Sequence, residues 1–95
     1  MRFRDPTGTE VDAHQWAPDD DDTATAWASL TGWLIGFDGS NLDRWEYADR
    51  GTVDVPTPGG PTIAIPGDWI IREPSGVFDV ASPTVFGMDY RQVGY

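Results

Sequence analysis

Apolar and polar positions alternate from Thr9 to Trp16, with Val11, Ala13 and Gln15 on one face and Asp12, His14 and Trp16 on the other, which predicts a strand. Ala17-Pro18 closes it, and the acidic run Asp19–Asp22 follows. From Thr23 the period changes. Ala24, Trp27, Ala28 and Thr31 fall on one stripe that Leu30 and Leu34 widen, so the spacing predicts an amphipathic helix over 23–34. Asp22 suits its N-cap, and Asp20 and Asp21 lie where the positive end of the helix dipole favours anions. Gly32 weakens the last turn and Gly36 can stop it.

Eight Pro and eleven Gly punctuate the chain, and beyond the helix it falls into short pieces that read as strands and turns. Ile35–Phe37 begins a strand that Asp38-Gly39 turns, Arg44–Tyr47 forms the next, and Ala48–Gly51 is a turn. Thr52–Val55 leads into Pro56–Pro61, a loop barred from a central strand by its prolines. Thr62–Ile65, the turn Pro66-Gly67 and the apolar run Trp69–Arg72 come next. Glu73-Pro74-Ser75-Gly76 is a hairpin turn, after which Val77–Val80 returns antiparallel. Ser82-Pro83 has the form of N-cap and first helical position, with Phe86 directed inward. Tyr90–Val93 makes a last strand. The expected fold is α+β over a single domain, 1–95: a curved antiparallel sheet of about five to seven short strands, one main helix and a short C-terminal helical turn.

Composition narrows the function classes. Ninety-five residues suit one small domain, and hydrophobic residues make up 39% of them. Sixteen acidic residues stand against six basic ones, all arginine, for a formal net charge of -10. That balance disfavours non-specific binding to nucleic acid or anionic membrane, leaves cationic partners and nucleic-acid mimicry open, and favours solubility. The acids are scattered apart from the one run of four, so mimicry is the less favoured of these. With no Cys, disulfides, thiolate metal sites and cysteine nucleophiles are excluded together. The opening residues lead into no apolar run, and no stretch approaches the ~20 residues of a membrane-spanning helix. The expectation is a soluble intracellular protein that contacts no membrane.

Two segments carry a resemblance. Val11-Asp12-Ala13-His14-Gln15-Trp16 resembles an opening V-x-A-x-Q-W element. Ile65-Pro66-Gly67-Asp68-Trp69-Ile70-Ile71-Arg72, followed by Gly76, Phe78, Pro83, Phe86 and Tyr90, resembles GDWIIRG…GEF…P..F…Y. Together they are similar to a widespread family of small, functionally uncharacterised proteins of tailed bacteriophages and prophages. The resemblance covers the first strand and the last thirty residues or so, and implies phage origin and a compact fold without a known chemistry. Gly67, Asp68, Trp69, Gly76, Pro83 and Phe86 are its structural positions. Glu73-Pro74-Ser75, Asp79–Ser82 and Gly87 depart from the family pattern, which puts any shared ligand contact in that hairpin in doubt.

Each candidate site has an ordinary counterpart. Asp68 beside Trp69 has the form of a general acid or base with a raised pKa, and equally of an Asx turn whose carboxylate binds backbone N–H groups two residues on, the favoured role. His14, the sole histidine, lacks a serine in a nucleophile-elbow pattern and lacks the companions of a metal site. The Asp19–Asp22 run has no Gly at the calcium-loop position, and helix capping accounts for it.

Aromatics are the surplus: five Trp exceed what a small core usually buries whole. Trp27 and Trp69 have core spacing. Trp33 and Trp45 sit beside polar residues and are expected to line a surface, where Arg44, Trp45 and Arg72 would form an aromatic–guanidinium pocket able to stack a base and hold a phosphate. Packed stems with salt-bridged heads account for the same residues more simply.

These residues point to a non-catalytic accessory protein that binds a host or phage protein, with Trp45, Arg44, Arg72, Trp33, Asp20 and Asp21 as contacts. A homodimer would hide surplus Trp, and neither a cofactor nor a direct nucleic-acid contact is expected. The alternative is a ligand-binding module, a sponge for a nucleotide signal of host immunity, which requires Arg44, Arg72 and Arg91 to converge. An enzyme would be confined to carboxylate chemistry.

Overall fold

The computed structural model describes residues 2–18, 23–35, 45–47 and 51–93. Among the described residues eight strands and two helices run in the order β1 (Arg2–Arg4), β2 (Glu10–Gln15), α1 (Thr23–Ile35), β3 (Glu46–Tyr47), β4 (Val53–Thr57), β5 (Gly60–Ala64), β6 (Trp69–Arg72), β7 (Phe78–Ala81), α2 (Pro83–Asp89) and β8 (Arg91–Gln92). The class is the expected α+β, with the strands divided between a five-stranded antiparallel sheet, β7-β6-β2-β1-β8, and a three-stranded one, β3-β4-β5.

Strand β1 has no counterpart in the pattern analysis, because three residues are too few to display a period. It pairs with β2 (Arg2 with Asp12, Phe3 with Val11, Arg4 with Glu10) through the turn at Asp5–Thr9. Asp5 organises that turn: its Oδ1 accepts from the backbone N–H groups of Thr7 and Thr9, each at 2.9 Å, and from the Thr7 hydroxyl. These bonds stabilise the carboxylate and hold its pKa below the usual value, the Thr7 hydroxyl contributing most.

The alternation in β2 gives each sheet face its character. Val11, Ala13, Phe3 and Ile71 form one buried cluster with Phe86 of α2, and Trp69, Ala81 and Tyr90 pack against it. On the other face Ile70 joins Trp16, Leu30, Leu34, Trp45, Val53, Val55 and Ala64, so α1 and the small sheet cover that side near β6 and β7. The helix runs one residue past its predicted end, to Ile35, which the pattern assigned to a strand, and its buried stripe is rotated. Leu30 and Leu34 are the buried positions, Ala26, Trp27 and Trp33 pack beside them, and Ala24 and Ala28 face solvent. Trp33 decides the rotation, since packing its large side chain against the core outweighs two alanine methyls.

Pro56–Pro61 is not a loop. β4 and β5 run through it, Pro56 opposite Pro61, joined by Pro58-Gly59. Pairs in an antiparallel hairpin alternate between bonded and non-bonded, and the closing pair Thr57–Gly60 is bonded. Pro56 and Pro61 therefore form a non-bonded pair, and their missing N–H groups remove no bond between the two strands. β4 is the middle strand, and among the described residues β3 pairs with Val53 and Asp54.

The C-terminal half matches its motif. Gly76 at φ +90° closes the Glu73–Gly76 turn. Ser82 caps α2 by accepting from the Val85 N–H at 3.2 Å, Pro83 occupies the first turn, and Phe86 is buried. Among the described residues no helix is long and apolar enough to cross a membrane.

Candidate interaction surface

Asp68 is buried and structural. Its Oδ2 accepts from the Ile65 N–H at 3.0 Å, three residues back rather than two residues on, and its own N–H donates to the Ile65 carbonyl at 3.0 Å. Its carbonyl accepts from the Trp16 N–H at 2.8 Å, and Gly67 N–H donates to the Trp16 carbonyl at 2.6 Å, so this turn continues the β2–β6 ladder. Gly67 has φ +97°, and a Cβ there would stand 3.4 Å from the Pro83 ring. The positive φ requires glycine, while the Cβ would make only ordinary van der Waals contact with that ring.

The aromatic residues are mostly internal. Trp16, assigned by alternation to the polar side of β2, is fully buried, and its indole N–H donates to the Gly51 carbonyl at 2.6 Å. Trp45, expected at the surface, is only 4% exposed and meets Phe78 edge-on at 4.9 Å. Trp33 also touches Phe78, at 6.3 Å, and stacks on His14 at 5.4 Å. Phe78 is the cross-strand partner of Arg72, so Trp33, Trp45 and Arg72 do gather, around a residue that draws both indoles into the core. Trp45 therefore offers no open ring face for a base. Trp69, expected in the core, is half-buried and stacks on Phe86 at 4.2 Å. Arg44, Asp20 and Asp21, and with them the Asp19–Asp22 run, lie outside the described residues.

His14 and Gln15 line a hollow of about 360 Å³ with Ala13, Ala17, Ala26, Ser29 and Trp69. Burial pushes the His14 imidazole below its usual pKa, favouring the neutral ring. The Gln15 amide donates to the Gly67 carbonyl at 3.1 Å. Among the described residues no three His, Asp or Glu side chains group as metal ligands.

Arginine placement is the feature that sequence reasoning missed. Cross-strand partners share a sheet face, and the register aligns Arg72, Asp12 and Arg2 in one row across β6, β2 and β1. A second row runs Glu10, Arg4, Arg91 across β2, β1 and β8. Because residues i and i+2 on a strand share a face, both rows lie on the side opposite Phe3 and Phe86. Four of the chain's six arginines thus stand on one face with two carboxylates, a local charge of +2 within a total of -10. The remaining residues carry -12. Arg2, Arg4, Glu10 and Arg91 are exposed, and Asp12 and Arg72 half-buried.

The opposite face has the opposite sign. Asp79, Asp5, Glu73 and Asp89 all act on Tyr90, whose phenol is pushed above its usual pKa by burial first and by these carboxylates next.

Arg72 and Arg91 are three strands apart, about 14 Å at ~4.8 Å per strand, so the two do not close on one phosphate. The arginine face is broad and lies on a pleated sheet, whereas small-ligand sites are concave. A signal for it was present: Arg2, Arg4 and Asp12 have the spacing of strand neighbours, but only the β1–β2 and β1–β8 pairings show that they share a face with Arg72 and Arg91. Comparison of the chain with protein-family models, with curated proteins and with solved structures gives no match.

Proposed function

We propose that this is a non-catalytic, phage-encoded accessory protein that acts in the host cytoplasm by binding a host or phage protein, and that it meets its partner on the arginine-bearing half of the five-stranded sheet. Phage origin rests on the motif resemblance from Val11 to Trp16 and from Ile65 to Tyr90. The observation that supports the binding role is the gathering of Arg2, Arg4, Arg72 and Arg91 on one sheet face of an otherwise acidic chain. Arginine at that density suits interface chemistry, because its planar fork pairs with carboxylates through two parallel hydrogen bonds.

The test is capture by the tagged protein from host lysate, with and without phage proteins, read for proteins and, after denaturation, for small molecules. A specific protein partner that the Arg4→Glu/Arg91→Glu variant fails to retain is the expected result. Recovery of a small molecule alone would refute the proposal.

A further inference from the structure

Resting on that function, we infer that the contact segment of the partner is short and carboxylate-rich, and that it lies across Arg2, Arg4 and Arg91. Arg4 and Arg91 are direct cross-strand partners, so their Cβ atoms stand about 4.5–5.5 Å apart. Two like charges at that separation destabilise an isolated sheet, and an anion seated between them removes the repulsion. Arg2 lies two residues along β1, about 7 Å away. That is also the spacing of alternate side chains on an extended segment, so acids at every second position meet Arg2 and the Arg4–Arg91 pair in register.

Glu10 and Asp12, on the far side of Arg4 and Arg2, bound the site toward β2 and repel acids displaced in that direction. The remaining -12 of charge limits the length of the occupant. Attraction to the arginines is screened beyond a Debye length, about 8 Å at physiological salt, so the outer charges of a long polyanion gain none of it on an otherwise acidic chain, whereas a segment of about four residues stays over the arginines. A compact acidic peptide fits this field better than a nucleic acid.

The probe is a six-residue peptide alternating Glu and Ser, with its Gln/Ser analogue and inorganic phosphate as comparisons. It is titrated into the full chain while the arginine Nε–Hε resonances are followed by NMR. The acidic peptide is expected to shift Arg2, Arg4 and Arg91 saturably. Each arginine removed should weaken it about two- to five-fold, as measured surface ion pairs do. Arg4→Glu/Arg91→Glu should abolish the shifts, with circular dichroism confirming the fold and Arg4→Gln/Arg91→Gln as a charge-neutral second variant.

Equal shifts with the Gln/Ser peptide, tighter binding of phosphate than of the peptide, or unchanged affinity in both double variants would overturn the inference. If lysate capture depends on the two arginines but the acidic peptide never saturates, the carboxylate inference fails while the interaction face stands. If capture is independent of them, the face itself fails.

Discussion

Arg91→Glu is expected to make the protein more stable while weakening its binding, a combination that a purely structural arginine would not produce. Arg4 faces Arg91 across β1 and β8, and Glu10 across β1 and β2. Opposite charges directly across an antiparallel pair contribute roughly 0.2–1 kcal/mol, and like charges cost a similar amount. Reversing the sign at position 91 therefore swings the pair by about 0.4–2 kcal/mol before screening. Both side chains are exposed, which places the outcome in the lower half of that range at physiological salt.

At ~4–8 °C per kcal/mol for a domain of this size, melting should rise by about 2–10 °C. Arg91→Gln, which removes the repulsion without adding attraction, should fall midway. Thermal and urea unfolding followed by circular dichroism would measure both. The gains should shrink near 1 M salt, where the Debye length falls to about 3 Å. Arg91→Glu less stable than the parent at low salt, or gains of undiminished size near 1 M salt, would refute the assigned register and the argument built on it.

Other expectations follow from the interior. Trp16→Phe strands the buried Gly51 carbonyl and leaves a void, and should cost about 2–4 kcal/mol in urea unfolding, a large share of the ~5–14 kcal/mol typical of 95 residues. Asp68→Ala should cost about 1–3 kcal/mol by leaving the Ile65 N–H unpaired, and Asp68→Asn should restore most of it; equal losses would contradict the turn role. Ser82→Ala should cost about 1 kcal/mol at the N-terminus of α2, read as a lower melting temperature.

His14 has a depressed pKa in the folded state. Its contribution to stability is therefore complete above the ordinary imidazole value of 6.5 and is lost as pH falls through the lower folded-state value. Urea midpoints across this window should decline on acidification, and His14→Gln should flatten the decline.

Local rules made several elements legible. Period-two alternation identified β2, helical spacing identified α1 to within a residue, and the Ser82-Pro83 cap, the Glu73–Gly76 turn and the Pro66-Gly67 turn all follow from backbone preferences of single residues. Burial was less legible. Trp45 sits among polar neighbours in sequence, and only the edge contact with Phe78, thirty-three positions away, encloses it. The proline-rich hairpin escaped because a rule about central strands does not bar two prolines that face each other at a non-bonded position of a hairpin.

The candidate surface divides in the same way. The sequence by itself determined that the chain is acidic, free of lysine and cysteine, rich in tryptophan, and patterned for a small α+β fold. Tertiary structure decided that most of the tryptophan area is spent inside and that four arginines, distant in sequence, share one face. The physical reason is that side-chain direction on a strand depends on local parity, while the partners on that face depend on which strands pair and in what register. Pairing is a property of the whole sheet, and no window along the chain contains it.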